Sequence, residues 1–193
     1  DYPSRAEGGI NPSGHLRITL DLWANIRPAR SREGIPSYGR TPIDLVIVRE
    51  NTEGEYSSVG GRMFEGTDRE FVSQQSVFSR VGTDRILKYA FDLAMTRERK
   101  HVTSATKSNG IIHTMPYWDE RVKEVAKSYP DVRWDQYHVD ILTANFVLHP
   151  DWFSCRRRGG RCRAGHRRLR QGVRARRAAP ARRRSASPDG PVP

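Results

Sequence analysis

Two periods of apolar residues run along the chain, and together they lay out its elements. "IDLVIVRE", residues 43–50, is a short β-branched run and predicts a strand buried on both faces. "EFVSQQSVFSR", residues 70–80, partly alternates apolar with polar positions and predicts one strand of an antiparallel pair. In "TDRILKYAFDLAMTRER", residues 83–99, Ile86, Leu87, Ala90, Leu93 and Ala94 share one helical stripe, and Thr83 is placed to cap it. "KHVTSATKS" reads as a strand. "MPYWDERVKEVAKSY" reads as a helix with Pro116 near its first turn and Pro130 as its stop. "VRWDQYHVDILTANFVLHPDWF" begins extended and turns helical from about His138, with Ile141, Leu142, Asn145, Phe146 and Leu148 as its buried side. Strands alternating with helices imply an α/β layered domain.

After Phe153 the pattern stops. Residues 154–193 have no aromatic residue and no apolar period, and are mostly Arg, Ala, Gly, Pro and Ser. Such a composition buries too little surface to offset chain entropy, so this tail is expected to be disordered. It also changes the meaning of the net charge of +12, which alone would suggest a polyanion partner. The tail holds 14 of the 34 basic residues and one of the 22 acidic ones, Asp189, which leaves 20 against 21 for residues 1–153. The body is therefore close to neutral. Both cysteines, Cys155 and Cys162, lie in the tail, so the body rests on no disulfide, which fits a cytoplasmic location. No run of 18 apolar residues is present and a membrane span is not expected. The opening "DYPSRAEGG" lacks the order of a signal peptide.

Four clusters hold the candidate chemistry. Arg17 and Arg27 flank an apolar stretch, and Arg49 ends the strand "IDLVIVRE" with Tyr56 seven residues on. In open α/β sheets ligands gather at the carboxyl ends of strands. Three arginines brought together there would hold carboxylates by two-pronged hydrogen bonds; singly, each reads equally as a surface charge. Lys107 in "TSATKSNGI" is either a proton acceptor, if partly desolvated, or an ordinary solvated lysine. Asp140 in "HVDILTAN" is either a helix cap or a metal ligand. The acids of "ENTEGE" read as a solvated or structural loop. No GxGxxG motif and no Walker-type phosphate loop is present.

"LDLWANIRP", "DLVIVRENTEGEYSS", "TSATKSNGI", "MPYWDERV" and "VDILTANFVLHPDWF", in this order, resemble the metal-dependent β-decarboxylating dehydrogenases, the isocitrate/isopropylmalate dehydrogenase family. The wording is most similar to its tartrate and D-malate dehydrogenase branch and spans roughly residues 16–153. The resemblance implies a fold like that family's: residues 22–153 would be its smaller, dimer-forming α/β domain and residues 1–21 a remnant of the larger one. It implies an NAD-dependent oxidoreductase acting on a 2-hydroxy diacid such as tartrate or D-malate, with isocitrate or 3-isopropylmalate as alternatives. Arg17, Arg27 and Arg49 would grip the substrate carboxylates. Tyr56 would return a proton to carbon after carbon dioxide leaves, and Lys107 would help remove the hydroxyl proton. Asn109 would contact the nicotinamide end of NAD, and Asp140 would be one ligand of Mg²⁺ or Mn²⁺. Lys107 and Asp140 would come from the neighbouring subunit of a homodimer built through "EFVSQQSVFSR" and the helix after His138.

The chain departs from the family in its first residues, where "DYPSRAEGGINPSG" matches poorly, and after Phe153, where the family continues with an apolar strand and further metal carboxylates. Asn11 and Ser13 are residue types that would suit isocitrate's extra carboxylate, in an unusual order. The expectation from sequence is a truncated, weakly active or inactive chain whose tail is an out-of-frame product of GC-rich DNA. The rival reading is a non-catalytic chain whose tail binds nucleic acid without sequence preference. A zinc site from Cys155, Cys162 and His166 has irregular spacing and lacks a fourth ligand.

Overall fold

A computed structural model describes residues 12–32, 34, 35 and 43–153, all within one compact unit. The Arg-rich tail, its cysteines, His166 and Asn11 lie outside the described residues. The element order is α1 (Pro12–Thr19), β1 (Ala24–Arg30), β2 (Asp44–Glu50), β3 (Gly54–Met63), β4 (Phe71–Val77), α2 (Arg80–Met95), β5 (His101–Thr106), α3 (Thr114–Ala126), β6 (Arg133–His138) and α4 (Val139–Leu148). A single 3-10 turn, Pro150–Trp152, follows. The α/β class expected from the sequence is the class observed.

The strands pair in twos. β1 and β2 are antiparallel, with Asn25 opposite Arg49 and Pro28 opposite Val46. Pro28 has no N–H to donate, and an outer strand tolerates that loss. β3 and β4 form an antiparallel ribbon, as the alternation of residues 70–80 predicts. β5 and β6 are parallel, with Thr106 opposite His138. The prediction that residues 43–50 are buried on both faces is corrected: β2 is only partly buried and Ile47 is 44% exposed. The cause is that the core covers one face of β2, where Val48 packs against it, while Ile47 points to the other face with Arg49.

The core lies where α2 and α3 pack together and over the strands. Ile86, Leu87, Phe91 and Ala94 of α2 meet Val122, Val125 and Ala126 of α3, with Val132 beside them. Phe91 is fully buried and stacks on Tyr129, ring centroids 5.2 Å apart. α3 starts with Pro116 in its first turn, as expected, and ends at Ala126, four residues before Pro130. Among the described residues no helix is long and apolar enough to cross a membrane.

Two helix readings change. α2 is capped by Ser79, not Thr83: the Ser79 hydroxyl accepts from the Gly82 amide at 2.9 Å, and Thr83 is buried inside the first turn. The choice is made from outside the helix. The Glu53 carboxylate accepts from the Ser79 amide at 2.8 Å and from its hydroxyl at 2.6 Å, which fixes Ser79 in the capping position. On α4, Leu142 and Asn145 are buried, but Ile141 and Leu148, expected inside, are 52% and 69% exposed. α4 is apolar on every side, so periodicity could not say which stripe faces the sheet.

Gly82 leaves room for the same clasp, because a Cβ there would displace the Glu53 carboxylate, the far end of a flexible side chain. Gly82→Ala alone is expected to expel that carboxylate and lose its hydrogen bonds, about 1 kcal/mol each, against a helix-propensity gain of up to about 1 kcal/mol. In a Glu53→Ala background nothing is left to expel. There Gly82→Ala is expected to stabilise, and urea unfolding of the four proteins of this cycle checks the reversal of sign.

Candidate active site

The carboxyl end of β2 carries the first group of site residues. Asn51, the residue after β2, is buried; its amide nitrogen donates to the Leu22 carbonyl at 3.0 Å and its backbone N–H to the Trp23 carbonyl at 2.9 Å. This ties the turn after α1 to the end of β2. The Asn51 side-chain oxygen accepts from Arg17 Nη1 at 3.5 Å. Arg85 of α2 closes the cluster from behind. It donates to Thr52 Oγ1 at 2.8 Å, pairs with Asp21 at 3.0 Å and with Glu50 at 3.5 Å, and lies over the Trp23 ring.

The acids of "ENTEGE" are thus structural, as expected: Glu50 accepts from Thr52, Glu53 clasps Ser79, and Glu55 accepts from Ser76 Oγ. Tyr56 rises from this scaffold on β3, about half exposed. The Arg17 guanidinium carbon stands 4.8 Å from its ring centroid and that of Arg49 stands 4.4 Å away. Both separations lie within cation–π range. The two like charges are therefore held within the sum of those distances of one another, an arrangement that favours an anion between them. Arg17 Nε is buried with no hydrogen-bond partner among the described residues, which leaves a donor in reserve at this position.

Arg27 lies on the same face of the β1–β2 ladder as Arg49 but joins the cluster only indirectly. Its Nε donates to Asn25 Oδ1 at 3.1 Å, and Asn25 sits opposite Arg49 in the register. Of the three arginines expected together, two share the phenol and the third is one residue removed.

The second group sits at the carboxyl ends of the parallel pair β5 and β6. Their register places Thr106 beside His138, so Lys107 and Asp140, which follow them, meet across 33 residues of sequence and form an ion pair. Asp140 is not the helix cap. His138 occupies that position without a side-chain capping bond, and the Asp140 carboxylate lies within the first turn of α4. The Lys107 ammonium holds that carboxyl below its usual range, although some burial opposes the shift. The sign follows: the pair contributes stability above the unfolded carboxyl pKa and loses it as pH falls through the depressed folded value. Because Asp140 is exposed, solvent screens the contribution. Asn109 is exposed in the turn after β5, where the Gly110 and Ile111 amides both donate to the Lys107 carbonyl. No hydrogen bond, ion pair or ring contact among the described residues joins this second group to the first.

Asp140 offers the hard oxygen ligand that Mg²⁺ or Mn²⁺ prefers. Among the described residues, however, no group of three or more His, Cys, Asp or Glu side chains could hold a metal ion. The described residues alone do not make a divalent-cation site. Two contributors were not singled out by sequence reading, Asn51 and Arg85. Their signal, a polar side chain at a strand end and a charge on the stripe beside the core, becomes legible only once α1, β2 and α2 are brought together.

The family profile described as isocitrate/isopropylmalate dehydrogenase matches residues 3–155. The chain is 55% identical over 160 residues to the tartrate dehydrogenase/decarboxylase of Pseudomonas putida, an alignment covering 79% of this chain and 44% of that protein. It is 57% identical over 159 residues to the D-malate dehydrogenase (decarboxylating) of Escherichia coli K12, again covering 79% and 44%. The chain thus spans less than half the length of these relatives. A crystal structure of isocitrate dehydrogenase from Methylococcus capsulatus superposes with a TM-score of 0.67 at 36% identity, covering 74% of this chain and 42% of that one.

Proposed function

Because the chain belongs to the isocitrate/isopropylmalate dehydrogenase family, we propose that residues 16–153 carry the diacid-gripping and proton-transfer groups for NAD-linked oxidation of a 2-hydroxy diacid of the tartrate or D-malate kind. The observation that carries this reading is the pair of guanidinium groups, Arg17 and Arg49, over the Tyr56 ring. Arg17 and Arg49 bind one carboxylate by charge-assisted hydrogen bonds, and Arg27, on the same ladder face, is assigned to the other on release from Asn25. Tyr56 donates its phenolic proton to the carbon that loses carbon dioxide where the substrate decarboxylates. Lys107 is assigned to removal of the hydroxyl proton, acting as the free amine once its ion pair with Asp140 opens and its own proton has passed to solvent. When bound, NAD supplies the hydride acceptor, and Asn109 is assigned to its nicotinamide end.

Lys107 and Asp140 form their own group, and this supports a site completed by the second copy of a homodimer. The exposed apolar residues Phe71, Val72 and Val77 of β4, and Ile141, Val147 and Leu148 of α4, are the surfaces we assign to that contact. Sedimentation of the purified chain tests the assembly, and a monomer at micromolar concentration contradicts it.

Titration calorimetry tests the substrate reading. D-malate and tartrate are expected to bind at least about tenfold more tightly than the monoacid lactate, the value of one charge-assisted hydrogen bond set. Equal affinities for diacid and monoacid contradict the assignment.

A further inference from the structure

α1 closes on its own last carbonyls. The Leu22 amide donates to the Arg17 carbonyl at 2.8 Å and the Asp21 amide to the Ile18 carbonyl at 3.1 Å, the nested pair of bonds of a Schellman cap. The residue that turns such a cap stands in left-handed backbone, and Asp21 does so with φ +45°. Glycine is the usual residue there, because a Cβ crowds the following carbonyl oxygen. Asp21 is unfavourable in a second way, since its negative charge faces the negative end of the α1 dipole.

What favours Asp21 lies across the structure, on α2. Arg85 Nη1 donates to both oxygens of the Asp21 carboxylate, at 3.0 and 3.3 Å. Arg85 Nη2 donates to Thr52 Oγ1 at 2.8 Å and pairs with the buried Glu50 carboxylate at 3.5 Å. The Trp23 ring lies against the same guanidinium, 5.2 Å from its carbon. One planar group thus holds the end of α1 with one nitrogen and the end of β2 with the other.

The consequence falls on Arg17. Its carbonyl is the one that the cap engages, so the place of Asp21 fixes the last turn of α1, where Arg17 sits. The Arg17 side chain has little hold of its own: one long bond to Asn51 at 3.5 Å, and an Nε with no partner among the described residues. Its position over the Tyr56 ring therefore rests on its backbone.

We propose that Asp21 and Arg85 form a latch that sets Arg17 over Tyr56, which makes Asp21 a positioning residue for the diacid site; the part that concerns affinity rests on the diacid reading of Arg17 and Arg49. Stability alone does not account for the aspartate. Its ion pair is exposed and of little value to the fold, and glycine suits the cap better.

The test compares the full chain with Asp21→Gly, Arg17→Ala and their combination, and with Asp21→Asn as the conservative variant. Asparagine tolerates left-handed backbone, and its side-chain oxygen still accepts from Arg85. In Asp21→Gly the urea midpoint is expected to stay level or rise, while D-malate binding weakens about five- to tenfold. Asp21→Asn is expected to stay within about threefold of the parent. In the ligand-free protein the Tyr56 ring carbon-13 signal is expected to move in Asp21→Gly in the direction that it moves in Arg17→Ala. Adding Asp21→Gly to Arg17→Ala is expected to change neither that signal nor the affinity further. Three results each overturn the proposal: a ligand-free Tyr56 signal that Asp21→Gly leaves in place, an affinity loss of the same size with and without Arg17, or a loss that only follows a falling urea midpoint. Failure of the diacid reading looks different: Arg17→Ala then leaves D-malate affinity untouched, and the ligand-free Tyr56 signal still decides the latch.

Discussion

Phe91→Ala is expected to destabilise the folded unit by about 3–5 kcal/mol, the cost of deleting a fully buried aromatic ring and leaving its cavity. Phe91 is completely buried on the α2 face that meets α3, and its ring stacks on Tyr129 at 5.2 Å. Stacking adds to area burial, and neither α2 nor α3 can collapse into the space without leaving the strands they cover. Because domains of this size are stable by only about 5–15 kcal/mol, the loss removes a large fraction of the total. Val81→Ala, on the outer face of the same helix and 76% exposed, is expected to stay within about 0.5 kcal/mol. Urea denaturation followed by Trp fluorescence measures both. Comparable effects at the two positions would show that the α2–α3 contact is not the core.

The second large effect concerns ligand affinity. Arg49→Ala is expected to weaken D-malate or tartrate binding about 10- to 100-fold while changing stability little, since Arg49 contributes to the Tyr56 ring contact and not to the core. Arg49→Lys keeps the charge but loses the planar fork, and is expected to recover only part of that affinity. Calorimetric titration of the three proteins distinguishes these outcomes. Full recovery by lysine would mean that charge alone, without two-pronged hydrogen bonding, holds the carboxylate.

The elements that hold their pattern within one stretch of chain were legible in the sequence. Alternation over residues 70–80 gave β4, the stripe from Ile86 to Ala94 gave α2, and the switch from extended to helical at His138 is where β6 passes into α4. What could not be read depends on distant partners. β1, "ANIRPAR", holds two arginines and a proline, and β3, "GEYSSVGGRM", holds three glycines. Neither has strand propensity of its own, and each is extended because a neighbour pairs with it. Gly60 shows how closely: a Cβ there would run into the β4 backbone at Ser73. The start of α2 was misplaced because Ser79 and Thr83 are both capping residues, and Glu53, 26 residues upstream of Ser79, decides between them.

The same distinction holds for the site. Lys107 and Asp140 were identifiable as strand-end and helix-start residues, yet their meeting requires the parallel register of β5 and β6. The convergence of Arg17 and Arg49 on Tyr56 has no signature in spacing; motif resemblance pointed to it, and Asn51 is the residue that physically draws α1 to the end of β2. Arg27, grouped with them by resemblance, is held aside by Asn25.

The most direct test of the central claim, that two guanidinium groups over a phenol form a diacid-binding site, is the Tyr56 ring signal in carbon-13 NMR, assigned by Tyr56→Phe and followed as D-malate is added. A saturable shift that disappears in Arg49→Ala is the predicted result. A Tyr56 signal that stays in place while D-malate is raised to saturation of any other response would contradict it.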